Sequence, residues 1–407
     1  MLGLTDALSA HVHAVLDARL NARSPAPLAV ALSGGGDSRA LTLMAAEWAS
    51  ARGRRLLVLN VDHQISPQSA AWTQACAALA QRLGASFEAL AWDGAKPAQG
   101  LQAAARIARH RLLAAAARQA GASVVLLGHT ADDLREAAAM RGDGSTTPSP
   151  REWAPSPAWP EGRGVFLLRP MLALDRADLR EWLAARGEAW IDDPSNDDMR
   201  FARARARAAR PLGSADPEPP PSRMAGRASA ARIDGAGVIS LPRAALPGRL
   251  IAVACLCAAG SSRPPRGERL GRVQALIASP GDGVATLAGA RIEAQGEQVR
   301  FMRELGRGAE PSLELAAGRP EVWDGRFELT ADRPMRIAPL AGRMARLEET
   351  ERRALQTISA KARGALPAVI DGAAVRCPIL APIAGLEVRG LVRDRLLAAG
   401  GAIEREP

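Results

Sequence analysis

Short apolar runs that alternate with stretches of helical spacing confine this chain to very few folds. PLAVALS (27–33), RRLLVLNVDH (54–63), SFEALAW (86–92) and SVVLLGHT (123–130) each suit a buried strand, and VFLLRPML (165–172) restores the pattern later. Between them, residues 38–53, 67–83, 101–121 and 131–140 carry apolar residues at helical spacing. Strands that are apolar on both faces and separated by helices imply a doubly wound parallel α/β sheet. The third of those helices ends on Gly121, which suits a C-cap, and residues 175–187 read as another helix with Asp175 at its N-cap.

The 407 residues admit two or three domains. Residues 1–20 read as an amphipathic helix and not a signal peptide, because Asp6, His11 and His13 interrupt the apolar positions. GDGSTTPSPREWAPSPAWPEGR (142–163) reads as a flexible surface insertion, and PLGSADPEPPPS (211–222) as linker. The expected order is a sheet domain over 1–210, a linker over 211–230, a small middle domain over 231–310 and a C-terminal domain over 311–407. Strand-like pieces such as GVATLAG, ARIEAQ and QVRFMRE make the later part smaller α and α+β domains. No internal repeat is evident. No apolar run reaches the ~20 residues of a membrane span, which predicts a cytoplasmic protein.

A net charge of +10, borne by arginine with lysine only at Lys96 and Lys361, points to a polyanionic partner. Genome composition is the plainer reading of part of that arginine bias. Cys76, Cys255, Cys257 and Cys377 form no CxxC pair and no zinc-ligand set, so they read as ordinary thiols of a reducing compartment.

The first apolar run leads into Ser33, Gly34, Gly35, Gly36, Asp37 and Ser38. A tight strand-to-helix turn uses one glycine or two; three, flanked by Ser33, Asp37 and Ser38, suit a backbone cradle for an anion. The lysine-bearing phosphate loop and the GxGxxG loop are both absent. What remains, SGGGDS, resembles the PP-loop of the N-type ATP pyrophosphatases. That resemblance implies a HUP-like, Rossmann-like sheet, ATP bound on Ser33–Ser38, and Mg²⁺ held by the carboxylate of Asp37.

Members of that superfamily differ in what accepts the activated group. Here VDHQISPQSA (61–70), LQAAARIARHRLL (101–113) and GHTADDLRE (128–136) resemble segments of the tRNA(Ile)-lysidine synthases. The stretch over 167–208, with DPSN followed by FARARAR, is the most discriminating, and VWDGRFEL (322–329) and ALPAVIDGAAVRCPILA resemble that family's C-terminal region. The resemblance implies a ligase that joins free lysine to the 2-position of the wobble cytidine of a CAU-anticodon tRNA(Ile), converting ATP to AMP and pyrophosphate. It implies Asp62, His63 and His129 near ATP, Asp132 sharing Mg²⁺ with Asp37, and Arg205 beside the α-phosphate. Arg200, Arg203 and Arg207 would then contact tRNA.

Plainer readings stand beside these. Asp132 and Asp133 open a helix, where one of them caps it and the other, Asp132, faces the nucleotide. Glu136 suits a solvated surface as well as a site, and His63 and His129 suit packing as well as binding. The arginines have period-two spacing in their middle, which also fits a solvated basic face. Ile65-Ser66, Leu134 and Ala204 depart from the family's pattern. A thiolating or amidotransferase-type PP-loop enzyme is the alternative, disfavoured by CxC in place of CxxC and by the lack of an N-terminal glutaminase cysteine. A non-catalytic nucleotide-dependent RNA-binding protein is another. Monomer and homodimer both stand.

Overall fold

A computed structural model describes residues 4–94, 96–142, 149–192, 222–306 and 312–407. The chain divides into two compact units, the first running to residue 219 and regaining 403–407, the second spanning 220–402.

The first unit begins with α1 (Leu4–Arg19), then β1 (Leu28–Ala31), α2 (Gly36–Ser50), β2 (Leu56–Asp62), α3 (Ser69–Arg82) and β3 (Ser86–Ala91). It continues with α4 (Leu101–Gln119), β4 (Val124–Leu126), α5 (Ala131–Gly142), β5 (Trp153–Pro155), β6 (Phe166–Leu168) and α6 (Arg176–Ala184). The strand order is β3-β2-β1-β4-β6-β5, with every pair parallel except β5 against β6. The doubly wound parallel sheet anticipated from the apolar runs is therefore present. The chain moves outward from β1 to β3 and then returns to the other side of β1, and this reversal leaves a crevice between the carboxyl ends of β1 and β4.

Period-two geometry explains why the central strands are apolar at successive positions. Ala29, Leu57, Leu59, Val125 and Leu127 pack on Leu113, Ala116 and Ala117 of α4. Leu28, Val30 and Val58, of opposite parity, are fully buried too, so both faces of the sheet are covered. Leu8, Val12 and Leu16 of α1, with Leu20 just past its end, recur every fourth residue and are buried, which is the stripe an amphipathic helix needs.

The Pro/Ser-rich stretch departs from its flexible reading. Residues 153–155 extend the sheet as an antiparallel edge strand, because the Trp153 indole stacks on Phe166 at 4.9 Å and its N–H donates to Ile403 O at 2.8 Å. Asp175 occupies the N-cap position of α6, yet its side chain does not cap. It pairs with Arg135, and Asp132 of α5 accepts from the Arg176 N–H at 2.8 Å instead.

The second unit opens with α7 (Ser222–Ser229), at the end of the stretch read as linker. Next come β7 (Arg232–Ile233), β8 (Ile239–Pro242), α8 (Gly248–Ala259), α9 (Gly267–Ala278), β9 (Gly283–Leu287), β10 (Ala290–Gln295) and β11 (Gln298–Arg303). The last three are the strand-like pieces seen in sequence, joined as antiparallel neighbours in a five-stranded sheet ordered β7-β8-β11-β10-β9. Beyond them β12 (Leu313–Leu315), β13 (Glu321–Trp323), β14 (Phe327–Ala331), β15 (Met335–Pro339), β16 (Pro367–Asp371), β17 (Ala374–Arg376) and β18 (Leu386–Gly390) form a four- and a three-stranded sheet, with α10 (Glu349–Leu355), α11 (Ala360–Arg363) and α12 (Val392–Gly400). The WDGRF element is the β13–β14 turn, where Asp324 and Gly325 have positive φ. Its Arg326 is buried, ion-paired to Asp324 at 2.7 Å and bonded to Ala236 O, so that arginine holds the unit together. Among the described residues no helix is long and apolar enough to cross a membrane.

Candidate active site

The glycine loop leaves central strand β1 and enters α2. Gly34 has φ +91°, and a Cβ on it would stand 2.5 Å from Ile191 Cδ1. Gly35 takes the N-cap position of α2 with no side-chain cap, so the first N–H groups of the helix are left for an anion. Ser38 Oγ donates to Gly35 O at 2.9 Å, accepts from Ser33 N at 3.2 Å and lies 3.1 Å from Ser33 Oγ. The two serines thus brace the cradle before any ligand arrives. Gly128, at the end of β4, completes it: a Cβ there would come within 3.0 Å of the Ser38 backbone. Sequence reading passed over Gly128, whose signal was a glycine ending an apolar strand.

A second group of residues gathers around Arg176, which the motif search also missed. Its guanidinium pairs with Asp37 at 2.9 Å and Glu136 at 3.3 Å and stands 3.8 Å from Asp133. The available signal was electrostatic, since an arginine at the first position of a helix opposes the helix dipole and needs another partner. Burial pushes the Asp37 carboxyl above its usual range, and Arg176 offsets part of that. Burial pulls the Arg176 pKa down, but Asp37, Asp133 and Glu136 together raise it above the ordinary guanidinium value. The two adjacent aspartates divide their work. Asp133 is buried and its Oδ2 accepts from Thr130 N at 2.8 Å, capping α5. Asp132 is half-buried, bonded to the Arg176 backbone and 3.2 Å from Arg135. Glu136 is buried, which removes its surface reading.

Beside the cradle a cavity of about 670 Å³ is lined by Ser33, Ser38, Asp62, His63, Arg109 and His129 among others. The structure therefore brings Ser33, Ser38, Asp62, His63 and His129 to one space at the carboxyl ends of β1, β2 and β4. Asp62 accepts from Gln64 N at 2.7 Å, which fixes the turn after β2, where Gln64 has φ +52°. His63 meets Trp92 edge to face at 6.0 Å, and burial, followed by Arg109, lowers its pKa and keeps it neutral. His129 Nδ1 accepts from Arg169 Nε at 3.1 Å. Ile65, one of the departures from the family's pattern, stands 49% exposed in the lining of the same cavity.

The segment after α6 then lies across the loop. Ile191 N donates to Gly34 O at 3.0 Å, and Trp190 sits against the open side of Gly36. Arg180 stacks on Trp190 and pairs with Asp192 at 3.0 Å. DPSN and Arg200, Arg203, Arg205 and Arg207 follow directly in the chain and lie outside the described residues. All four cysteines are buried. Burial pushes Cys76, Cys257 and Cys377 up to about 11 and Cys255 up to about 12. Such thiols are protonated at neutral pH and unsuited to sulfur transfer.

Among the described residues no set of three or more His, Cys, Asp or Glu side chains gathers as a metal cage. A hard divalent cation bound with a nucleotide needs only one or two carboxylates plus phosphate oxygens. Asp37, desolvated at the mouth of the phosphate cradle, fits that demand.

Residues 8–210 match the PP-loop domain family. The chain is 48% identical, over 97% of its length and 98% of the relative's, to the tRNA(Ile)-lysidine synthase of Caulobacter vibrioides. It is 35% identical to that of Hyphomonas neptunium, over 79% of this chain and 92% of the relative. It is also 35% identical to that of Rhizobium meliloti, over 79% of this chain and 78% of the relative.

Proposed function

The chain belongs to the tRNA(Ile)-lysidine synthase family, and from that membership we propose that it joins lysine to the wobble cytidine of the CAU-anticodon tRNA(Ile) with ATP as the energy source. The phosphates of ATP lie along Ser33–Ser38 at the open N-terminus of α2, where aligned N–H groups and the helix dipole receive them. The nucleoside occupies the cavity beside Asp62, His63 and His129. The cytidine 2-oxygen attacks the α-phosphate, pyrophosphate leaves, and the tRNA is adenylated. The lysine ε-amine, having given up its proton, then attacks C2. A C–N bond forms, the C–O bond breaks, and AMP departs with the oxygen.

Asp37 and Asp132 would hold Mg²⁺, which offsets charge that develops on the transferring phosphoryl oxygens. Arg205 would stabilise the same group, and Arg200, Arg203 and Arg207 would grip the tRNA backbone with a strong dependence on salt. ATP and tRNA as substrates place the reaction in the cytoplasm.

One juxtaposition supports this reading above all. The Ile191–Gly34 hydrogen bond sets Ile191, just ahead of the DPSN–arginine segment in sequence, against the phosphate cradle. The nucleotide loop therefore meets the described part, 167–192, of the stretch that most resembles lysidine synthases, which a generic nucleotide binder does not require. Purified protein with ATP, Mg²⁺, total tRNA and radiolabelled lysine is expected to put label into tRNA. Pyrophosphate release should need tRNA. Labelling without ATP, or no labelling of tRNA that carries the CAU anticodon, overturns the assignment.

A further inference from the structure

One hydrogen bond decides the chemistry of the His129 ring. Nδ1 lies 3.1 Å from Arg169 Nε. A guanidinium N–H only donates, so Nδ1 accepts through its lone pair and carries no proton. The proton of the neutral ring is therefore on Nε2. Protonating Nδ1 as well would break that bond and set a second cation against Arg169.

The surroundings keep this arrangement in place. Arg169 is buried, and its Nη1 donates to Arg151 O at 2.7 Å, which fixes the direction of the guanidinium. The charged groups that act on it come from several elements: Arg106 and Arg109 of α4, Arg151 ahead of β5, and Asp133 of α5, the carboxylate among them. His110 of α4 also interacts with His129; it is buried, and neither of its ring nitrogens has a hydrogen-bond partner. Burial, followed by Arg109, Arg106 and Arg169, pushes His110 down to about 2. His129 and Arg109 form part of the cavity lining, which Arg169 does not.

We propose that Arg169 is a positioning residue that holds His129 as the neutral, Nε2-protonated tautomer, so that His129 serves the nucleotide as a fixed hydrogen-bond donor and not as a general acid or base. The ligand group it meets is an acceptor, an oxygen or ring nitrogen of the nucleotide. The nucleotide's place in the cavity rests on the function proposed above; the tautomer does not.

The test is nitrogen NMR on the full chain with labelled histidine, which holds five rings. The His129 signals are identified by their loss in His129→Gln. In the unaltered protein Nε2 is expected to be protonated and Nδ1 bare from about pH 5.5 to 8, and ATP should shift the Nε2 signal. In Arg169→Met, Nδ1 loses its donor, so the ring should sample both neutral tautomers, KM for ATP should rise about tenfold, and kcat/KM should gain a pH dependence that the unaltered protein lacks. Arg169→Lys, which keeps a charged donor, should restore the flat profile. A protonated Nδ1 in the unaltered protein, or an Nε2 signal that ignores ATP, overturns the proposal. If Arg169→Met does not fold, the unaltered tautomer and the Arg169→Lys profile decide. An ATP-dependent Nε2 shift without lysine incorporation would fault the assigned reaction and leave the donor role standing.

Discussion

Gly34 carries two constraints that a side chain would violate together. Its φ of +91° is disfavoured for any L-residue by about 1–2 kcal/mol, and a Cβ would press on Ile191 Cδ1 at 2.5 Å. The isoleucine methyl can move aside, but the backbone angle cannot change without losing the cradle. Gly34→Ala is therefore expected to destabilise the chain by about 2 kcal/mol in chemical unfolding and to weaken ATP binding in a titration. Asp37 behaves in the opposite sense. Its folded pKa is raised, so the folded state keeps the proton to higher pH than the unfolded one. Stability then falls as pH rises from the ordinary 3.8 through the folded value, and the ionised carboxylate is unfavourable at neutral pH. Asp37→Asn should raise the thermal midpoint near neutrality, an advantage that vanishes toward pH 3.8, while pyrophosphate release drops about 100-fold or more. A lowered midpoint at neutral pH would contradict the sign. The glycines and Asp37 were legible because residue type alone limits what such a loop can do. Arg176 was not, because its three carboxylates come from α2 and α5, and only folding brings them to one guanidinium.

At the scale of elements, legibility followed burial. β1, β2 and β4 declare themselves because both of their faces are largely covered, which forces apolar runs, whereas the edge strand β3 buries only Leu90 and reads through its short apolar-rich pattern. β5 does not, since an edge strand of three residues needs one good anchor and no pattern. Its Pro155 is tolerated at an edge, so the same proline that suggested a loop is compatible with the strand. The anchor is Trp153, stacked on Phe166 and bonded through its indole N–H to Ile403 O. Trp153→Ala should lower stability by about 3–5 kcal/mol, whereas Trp153→Phe, which keeps the stack and loses the hydrogen bond, should lose only about 1 kcal/mol. Equal losses in chemical unfolding would mean that the stack contributes nothing. Residues 193–221, which hold the DPSN and FARARAR motifs that resemble the lysidine synthases, lie outside the described residues.

Across the whole molecule, residues 403–407 belong to the first unit although 220–402 form another, and Glu406 is their anchor. Its carboxylate takes both Arg54 Nη2 at 2.5 Å and Nη1 at 2.9 Å, with each side chain 1% exposed. Asn21 N at 2.9 Å and Ser123 Oγ at 3.3 Å complete its bonding. Nothing in the pattern of the chain announces this pair, whose members are 352 residues apart. Coulomb attraction between buried charges is largely offset by their desolvation, so the pair itself contributes little net stability. Losing one member is another matter. Without Glu406, Arg54 keeps its bonds to the Ala26 and Asn21 carbonyls but remains a buried cation with no counter-charge from that carboxylate. Glu406→Ala is thus expected to lower stability by about 3–5 kcal/mol, and the double change Arg54→Met with Glu406→Leu to recover most of it. If the double variant unfolds as readily as Glu406→Ala, the loss comes from the vacated contact area and not from the stranded charge.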